Sequence, residues 1–168
     1  MILDHLPPEI HDSTRAVVWK RETRDGKATK VPYCPHQPHR RAAVDDPTTW
    51  GAFTVALAAV DAGRADGPGI VLGDGLVGVD LDKCRDAATG TLTDPARAII
   101  GALNSYTETS PSGTGVHILV RGTLPPGRRR VGWIEMYSQG RYFTVTGAHV
   151  PGTPAAIHER TDALAALH

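Results

Sequence analysis

The run Gly78-Val79-Asp80-Leu81-Asp82 carries two carboxylates at alternate positions of an apolar stretch. Such alternation reads as a β-strand, whose successive side chains point to opposite faces. Val79 and Leu81 then face a core, and Asp80 and Asp82 share the other face. A rise of about 3.3 Å per residue starts the two carboxylates roughly 6–7 Å apart at Cα, close enough to converge on a hard cation. Asp is depleted in strands, so the pair needs a reason; a solvent-facing strand edge is the other one open to it. Two further strands carry chemistry of the same kind. His117 lies in Gly115-Val116-His117-Ile118-Leu119-Val120, after the turn-rich run Ser110-Pro111-Ser112-Gly113-Thr114. Glu135 lies in Val131-Gly132-Trp133-Ile134-Glu135-Met136-Tyr137. Alternation puts Ile134 and Met136 on the core and Glu135 on one face with Trp133 and Tyr137. Taken singly, the histidine fits a hydrogen-bonded structural role and the glutamate a solvated one. Taken together, three strands bear groups suited to a cation and a phosphate.

Asp-x-Asp on a strand, then small-x-His (Gly115-Val116-His117), then a strand carboxylate (Glu135) resembles the three motifs of the archaeo-eukaryotic primase superfamily. The similarity is greatest to the bifunctional primase-polymerases of phages, plasmids and mobile elements. Flanking stretches share it: Lys30-Val31-Pro32-Tyr33, Asp46-Pro47-Thr48-Thr49-Trp50, Tyr106 to Gly115, Glu135-Met136-Tyr137, and Arg141 to Gly147. The resemblance runs from about Trp19 to Gly147. It implies an α/β unit packed beside an RRM-like, mostly antiparallel sheet with the active site in the cleft. It also implies template-directed nucleotide transfer, with dNTP or NTP and a single-stranded DNA template and primer as substrates. A helical module after the catalytic domain, or a replication helicase, is the expected partner.

Nucleotide transfer of this kind needs two divalent cations about 3.5–4 Å apart, Mg²⁺ or Mn²⁺. Mg²⁺ takes oxygen ligands and keeps several waters, so a few carboxylates suffice. Asp80, Asp82 and Glu135 are the expected ligands. His117 is expected, from the resemblance, to hydrogen-bond a phosphate of the incoming nucleotide. The Ser112-Gly113-Thr114-Gly115 loop offers glycines that let backbone N–H groups approach phosphate, although an ordinary hairpin turn explains it equally. Lys30 and Arg141 are candidates for further phosphate contacts, with a plain surface charge as the alternative. Trp133 and Tyr137 could stack on a base, or simply lie on a half-buried sheet face. Two other functions stand beside this one. A replication-initiator nuclease needs a His-hydrophobic-His motif and a helical tyrosine, and neither is legible here. A nucleotide- or nucleic-acid-binding module without catalysis is the other alternative: the three carboxylates speak against it, while neutrality and small size leave it open.

The elements that must position these groups read as follows. Ala16 to Lys20 is a strand leading to the turn Asp25-Gly26, and Lys30 to Tyr33 is extended. Asp46 is placed to N-cap a helix with Pro47 at its first position, carrying Trp50, Phe53, Leu57 and Val60 and ending near Gly63. Gly69 to Leu72 and Leu76 to Asp82 read as paired strands around Gly73-Asp74-Gly75. A second helix starts at Thr93-Asp94-Pro95 and runs to about Asn104. Strands are expected at Ser105–Thr109, Val116–Arg121, Val131–Tyr137 and Arg141–Thr146, and a terminal helix over 155–167. The fold class is α/β (α+β) in two layers. A single catalytic domain over 1–168 is expected, with an α/β part over about 1–75 and an RRM-like part over about 76–150.

Bulk properties narrow the function. The chain has 168 residues, with 18 Lys plus Arg against 18 Asp plus Glu, hence zero formal net charge. Proteins that hold duplex DNA unaided are usually basic, so strong unaided binding is not expected. Basic clusters occur only locally, at Arg40-Arg41 and Arg128-Arg129-Arg130. Two cysteines are too few for a disulfide framework. No basic-apolar leader opens the chain and no apolar run matches a membrane span, which makes the cytoplasm the expected location. The segment Cys34-Pro35-His36-Gln37-Pro38-His39 lacks the second ligand pair of a zinc site and reads as a loop. The sequence stops at His168 directly after its last expected helix, where the family's helical module would follow.

Overall fold

The computed structural model describes residues 5–168 of the chain. In chain order the elements are α1 (Pro8–His11), β1 (Ala16–Arg24), β2 (Lys27–Tyr33), α2 (Phe53–Asp61), β3 (Gly67–Val71), β4 (Leu76–Leu81), α3 (Asp94–Leu103), β5 (Thr107–Thr109), β6 (Val116–Arg121), β7 (Arg130–Val131), β8 (Ile134–Tyr137), β9 (Tyr142–Thr144) and α4 (Thr161–Leu167). The class is mixed α+β: two sheets, each antiparallel throughout, and four helices among the described residues. The chain forms two compact units, one of Pro8–Val71 with Gly140–Val145 and one of Leu72–Gln139 with Thr146–His168.

The first unit is built on the sheet β2-β1-β3-β9. Asp25 and Gly26, at φ 51° and 74°, form the two-residue turn that joins β1 to β2 and sets Arg24 opposite Lys27. Phe53, Ala56, Leu57 and Ala59 of α2 are buried, and the helix packs on β1 and β3. Gly67 is required beneath Trp19, because a Cβ there would stand 2.7 Å from the indole. Asp46 caps a separate 3-10 turn, Pro47–Thr49, and α2 begins only at Phe53. The expected single helix from Asp46 is thus two pieces, because Trp50 turns extended and Gly51 bridges to Ala16.

The second unit holds the candidate chemistry. Its sheet runs β5-β6-β4-β8-β7. Val77, Val79 and Leu81 of β4, Val116, Ile118 and Val120 of β6, and Met136 of β8 form one buried face. Ala96, Ile100 and Leu103 of α3 and Leu164 of α4 close over it. Thr93 caps α3, its hydroxyl accepting from the Ala96 N–H, and Asn104 ends it in the left-handed region at φ 42°. Burying this face commits the alternate residues, Asp80 and His117 among them, to the other side of the sheet.

Several expectations need correction. β3 and β4 do not pair. They lie in different sheets, and only Gly73 bridges Leu76 across the Gly73-Asp74-Gly75 turn. The strand expected over Val131–Tyr137 is a hairpin: β7 and β8 meet at the two-residue turn Gly132-Trp133, with Gly132 at φ 60°. Trp133, at that turn, packs against the apolar core. The segment expected as a strand over Arg141–Thr146 narrows to β9 and joins the first unit's sheet. The terminal helix starts at Thr161, because residues 156–160 run beside Ser105 to Arg121 instead, with Tyr106 N–H bonded to Ala156 O and Arg121 N–H to His158 O.

Candidate active site

β4 occupies the middle of its sheet, and its register decides what meets there. Asp80 is directly opposite His117 of β6 on one side and Glu135 of β8 on the other. His117 is in turn opposite Glu108 of β5, and Glu135 is opposite Arg130 of β7. One cross-strand row therefore reads Glu108, His117, Asp80, Glu135, Arg130 over all five strands. Directly opposite residues of antiparallel strands share a face, with Cβ atoms about 4.5–5.5 Å apart. The three sequence motifs thus converge through register alone.

The side chains of the row are closely engaged. His117 is buried, and its Nε2 lies 3.7 Å from Asp80 Oδ1. The Glu135 carboxylate, 16% exposed, receives Arg130 Nη1 at 2.9 Å on Oε1. The Tyr137 hydroxyl donates to its Oε2 at 2.7 Å. Asp82 follows the end of β4, yet its N–H still donates to Trp133 O at 2.8 Å, which keeps it alongside the β7–β8 turn. Burial pushes the Cys84 thiol up, and the charges of Asp80 and Asp82 push it further, so it stays protonated at neutral pH. Among the described residues no three His, Cys, Asp or Glu side chains converge as a ready-made metal centre. The donor set itself, carboxylate oxygens facing across two strands, is of the kind that hard divalent ions take.

The Ser112-Gly113-Thr114 loop sits before β6 as a tight turn. Gly113 N–H donates to Ser110 O at 2.9 Å, and the hydroxyls of Ser110, Ser112 and Thr114 follow one another at 3.1 and 2.9 Å. Gly113 is at φ 78°. Gly115 must lack a side chain, since a Cβ would lie 2.6 Å from Leu81 O of β4. Arg85 fastens this turn from the segment after β4: its N–H donates to Thr114 O at 3.0 Å and its Nη1 to Gly113 O at 2.8 Å. An open groove of about 510 Å³ begins one residue beyond Asp82, lined by Lys83, Arg85, Thr89, Thr91 and Thr93 among others.

Lys30 and Arg141 belong to the other unit. There the Tyr142 hydroxyl donates to Lys30 O at 2.6 Å, which joins the segments that carry the two cations. The Cys34-to-His39 segment is a turn closed by its own backbone, with Cys34 N–H on Arg40 O at 2.8 Å and the thiol buried.

Three participants were not assigned from sequence. Glu108 is 1% exposed and accepts from the Tyr106 hydroxyl at 2.9 Å and from the N–H groups of Thr146 and Gly147 at 2.8 and 3.0 Å. Its signal was present: a glutamate within Thr107-Glu108-Thr109, where strands disfavour it. Arg130 reads from sequence as part of a basic cluster, a solvated loop or a phosphate contact alike, and only Gly132-Trp133 read as a hairpin turn folds it onto Glu135. Arg85 carried no local signal, because its partners lie 28 residues on.

No protein-family model matches the chain. A search of curated proteins finds the DNA primase-polymerase of Nitratiruptor phage NrS-1, 38% identical over 139 residues, which covers 78% of this chain. The resemblance read from the motifs is thereby borne out: over most of its length the chain is homologous to a DNA primase-polymerase. It spans about a fifth of that relative, 19% of its length.

Proposed function

We propose that this chain is a nucleotidyl-transfer catalytic core, adding nucleotides to a primer 3′ end on a single-stranded DNA template. The observation that carries the reading is the single row through Asp80, His117 and Glu135, formed by register in a chain homologous to a primase-polymerase. The order of its sheet supports the RRM-like description. A strand, a helix and a hairpin (β4, α3, β5–β6) are followed by a last strand β8 that flanks β4 opposite β6, the split β-α-β pattern.

Asp80, Asp82 and Glu135 would hold two Mg²⁺ or Mn²⁺ ions. Bound there, the ions supply Lewis acidity that lowers the pKa of the attacking hydroxyl and offsets charge on the triphosphate. The remaining work falls to the chain. His117, beside Asp80, offers a ring N–H to a phosphate oxygen. The Ser112-Gly113-Thr114 turn, held by Arg85, offers hydroxyls to the same phosphates, and the groove at Lys83 has room for the polyanion. Lys30 and Arg141 would contact phosphates of the nucleotide or template. The core face of the sheet fixes β4 rigidly, so the acids need little reordering.

Mg²⁺-dependent incorporation of a labelled dNTP on a primed template tests this. Incorporation by the wild-type chain that disappears in Asp82→Ala supports it. Nucleotide binding with no incorporation under any divalent ion would leave a non-catalytic binding module instead.

A further inference from the structure

Asp80 and Glu135 stand directly opposite one another, two like charges on one face. Such a pair is unfavourable unless each acid has a cation of its own. Arg130 is that cation for Glu135 on the outer side of the row, whereas the His117 ring, a cation only when protonated, lies beside Asp80 on the inner side. The two guards differ in kind. His117 is set in a central strand, with its side chain 10% exposed. Arg130 is 62% exposed and sits on β7, a two-residue edge strand turned back by Gly132-Trp133.

The geometry points to Arg130 as a resident counter-cation of Glu135, one that gives the carboxylate to a divalent ion and then takes the nucleotide's phosphates. This inference rests on the reading of Glu135 as a metal ligand. Arg130 holds only Oε1; the Tyr137 hydroxyl steadies Oε2 from the sheet. Oε1 is therefore the exchangeable position. With its guanidinium 62% exposed, Arg130 can return to water at little cost on leaving the carboxylate, whereas a divalent ion shared with Asp80 is not displaced by one guanidinium. Once released, the arginine has a planar fork suited to bidentate phosphate contact and is already within reach of the row. Neighbouring Arg129 donates its Nη1 to Pro125 O at 2.9 Å, whereas Arg130, although its Nε reaches Gly132 O at 3.4 Å, is the one on the Glu135 carboxylate.

The test is Mn²⁺ titration of the full chain by calorimetry, followed by dNTP titration of the Mn²⁺-loaded protein, with thermal unfolding as a check of fold. Arg130→Gln removes the competitor, so Mn²⁺ should bind several-fold tighter and dNTP several-fold weaker. Arg130→Lys keeps the charge but loses the fork, so Mn²⁺ affinity should stay near wild type while dNTP affinity falls. Unchanged or weaker Mn²⁺ binding by Arg130→Gln, or dNTP binding that neither variant weakens, would overturn the inference. Glu135→Gln separates the two levels. If it leaves Mn²⁺ binding intact, Glu135 is no ligand and the underlying site reading fails. If it weakens Mn²⁺ binding while Arg130→Gln changes nothing, only the role of Arg130 fails.

Discussion

Asp80 and Glu135 are costly neighbours in the absence of cations, and this makes their removal informative. Asp80→Ala, Asp82→Ala and Glu135→Ala should each abolish nucleotide incorporation. Asp80→Asn should also leave the thermal midpoint in metal-free buffer equal or higher, since one of two facing charges is gone. It should forfeit the rise in midpoint that Mg²⁺ gives the wild type, because binding stabilises only through ligands that remain. A midpoint that falls in metal-free buffer would show that Asp80 is chiefly structural. His117 separates phosphate from metal. If it serves the triphosphate, His117→Ala should raise the dNTP dissociation constant and lower turnover while Mn²⁺ affinity stays near wild type. Calorimetric titration of Mn²⁺ and dNTP in turn would read the two independently, and loss of Mn²⁺ binding would place the ring among the metal ligands.

At the scale of elements, short segments tie the sheet together. β5 is only Thr107–Thr109, yet Glu108 within it gathers Tyr106 and the N–H groups of Thr146 and Gly147. A buried carboxylate with three donors is hard to replace. Glu108→Ala, which strands all three, should lower stability by on the order of 3 kcal/mol, seen as a lower urea midpoint at unchanged slope. Burial, with Glu108 beside it, also pushes the Tyr106 hydroxyl up. The folded state therefore keeps a proton that the unfolded chain loses from its ordinary pKa of 10.0. That contribution is complete below pH 10 and is lost as pH rises toward the folded value. Alkaline melts should steepen above pH 10, and less so for Tyr106→Phe. The elements also show what local sequence can carry. β6 has the expected bounds of its apolar run, Val116–Arg121, and α3 begins at its Thr93 cap, because both signals are local. Gly73-Asp74-Gly75 looks like a hairpin and is not one, since β3 and β4 find better partners far along the chain. Gly132-Trp133 lies inside an apolar run and is a hairpin turn, which hid Arg130 from view. Alternation turns Asp80 and Glu135 away from the core; only non-local register could bring them and His117 opposite one another.

For the molecule as a whole, charge limits what it can hold. Formal net charge is zero, and much of the clustered positive charge is already engaged. Arg41 pairs with Glu22 at 3.1 Å, Arg129 caps Pro125 O, and Arg130 lies on Glu135. Each phosphate neutralised by Lys or Arg adds about −0.9 to the slope of log affinity against log salt on duplex DNA, and somewhat less on single strands. The candidate contacts are Lys30, Lys83, Arg128 and Arg141, set against the acids of the row. The chain alone should therefore bind primer-template weakly, with a salt slope no steeper than about −4. Nucleotide and Mn²⁺ binding, which depend on the row and the Ser112-Gly113-Thr114 turn, should not share this weakness. Primer extension should accordingly be limited by DNA affinity, so raising the primer-template concentration should restore rate while raising dNTP should not. Fluorescence anisotropy of a labelled primer-template across a salt series decides it. Nanomolar affinity at moderate salt, or a slope much steeper than −4, would mean that more basic residues contact the DNA than these supply.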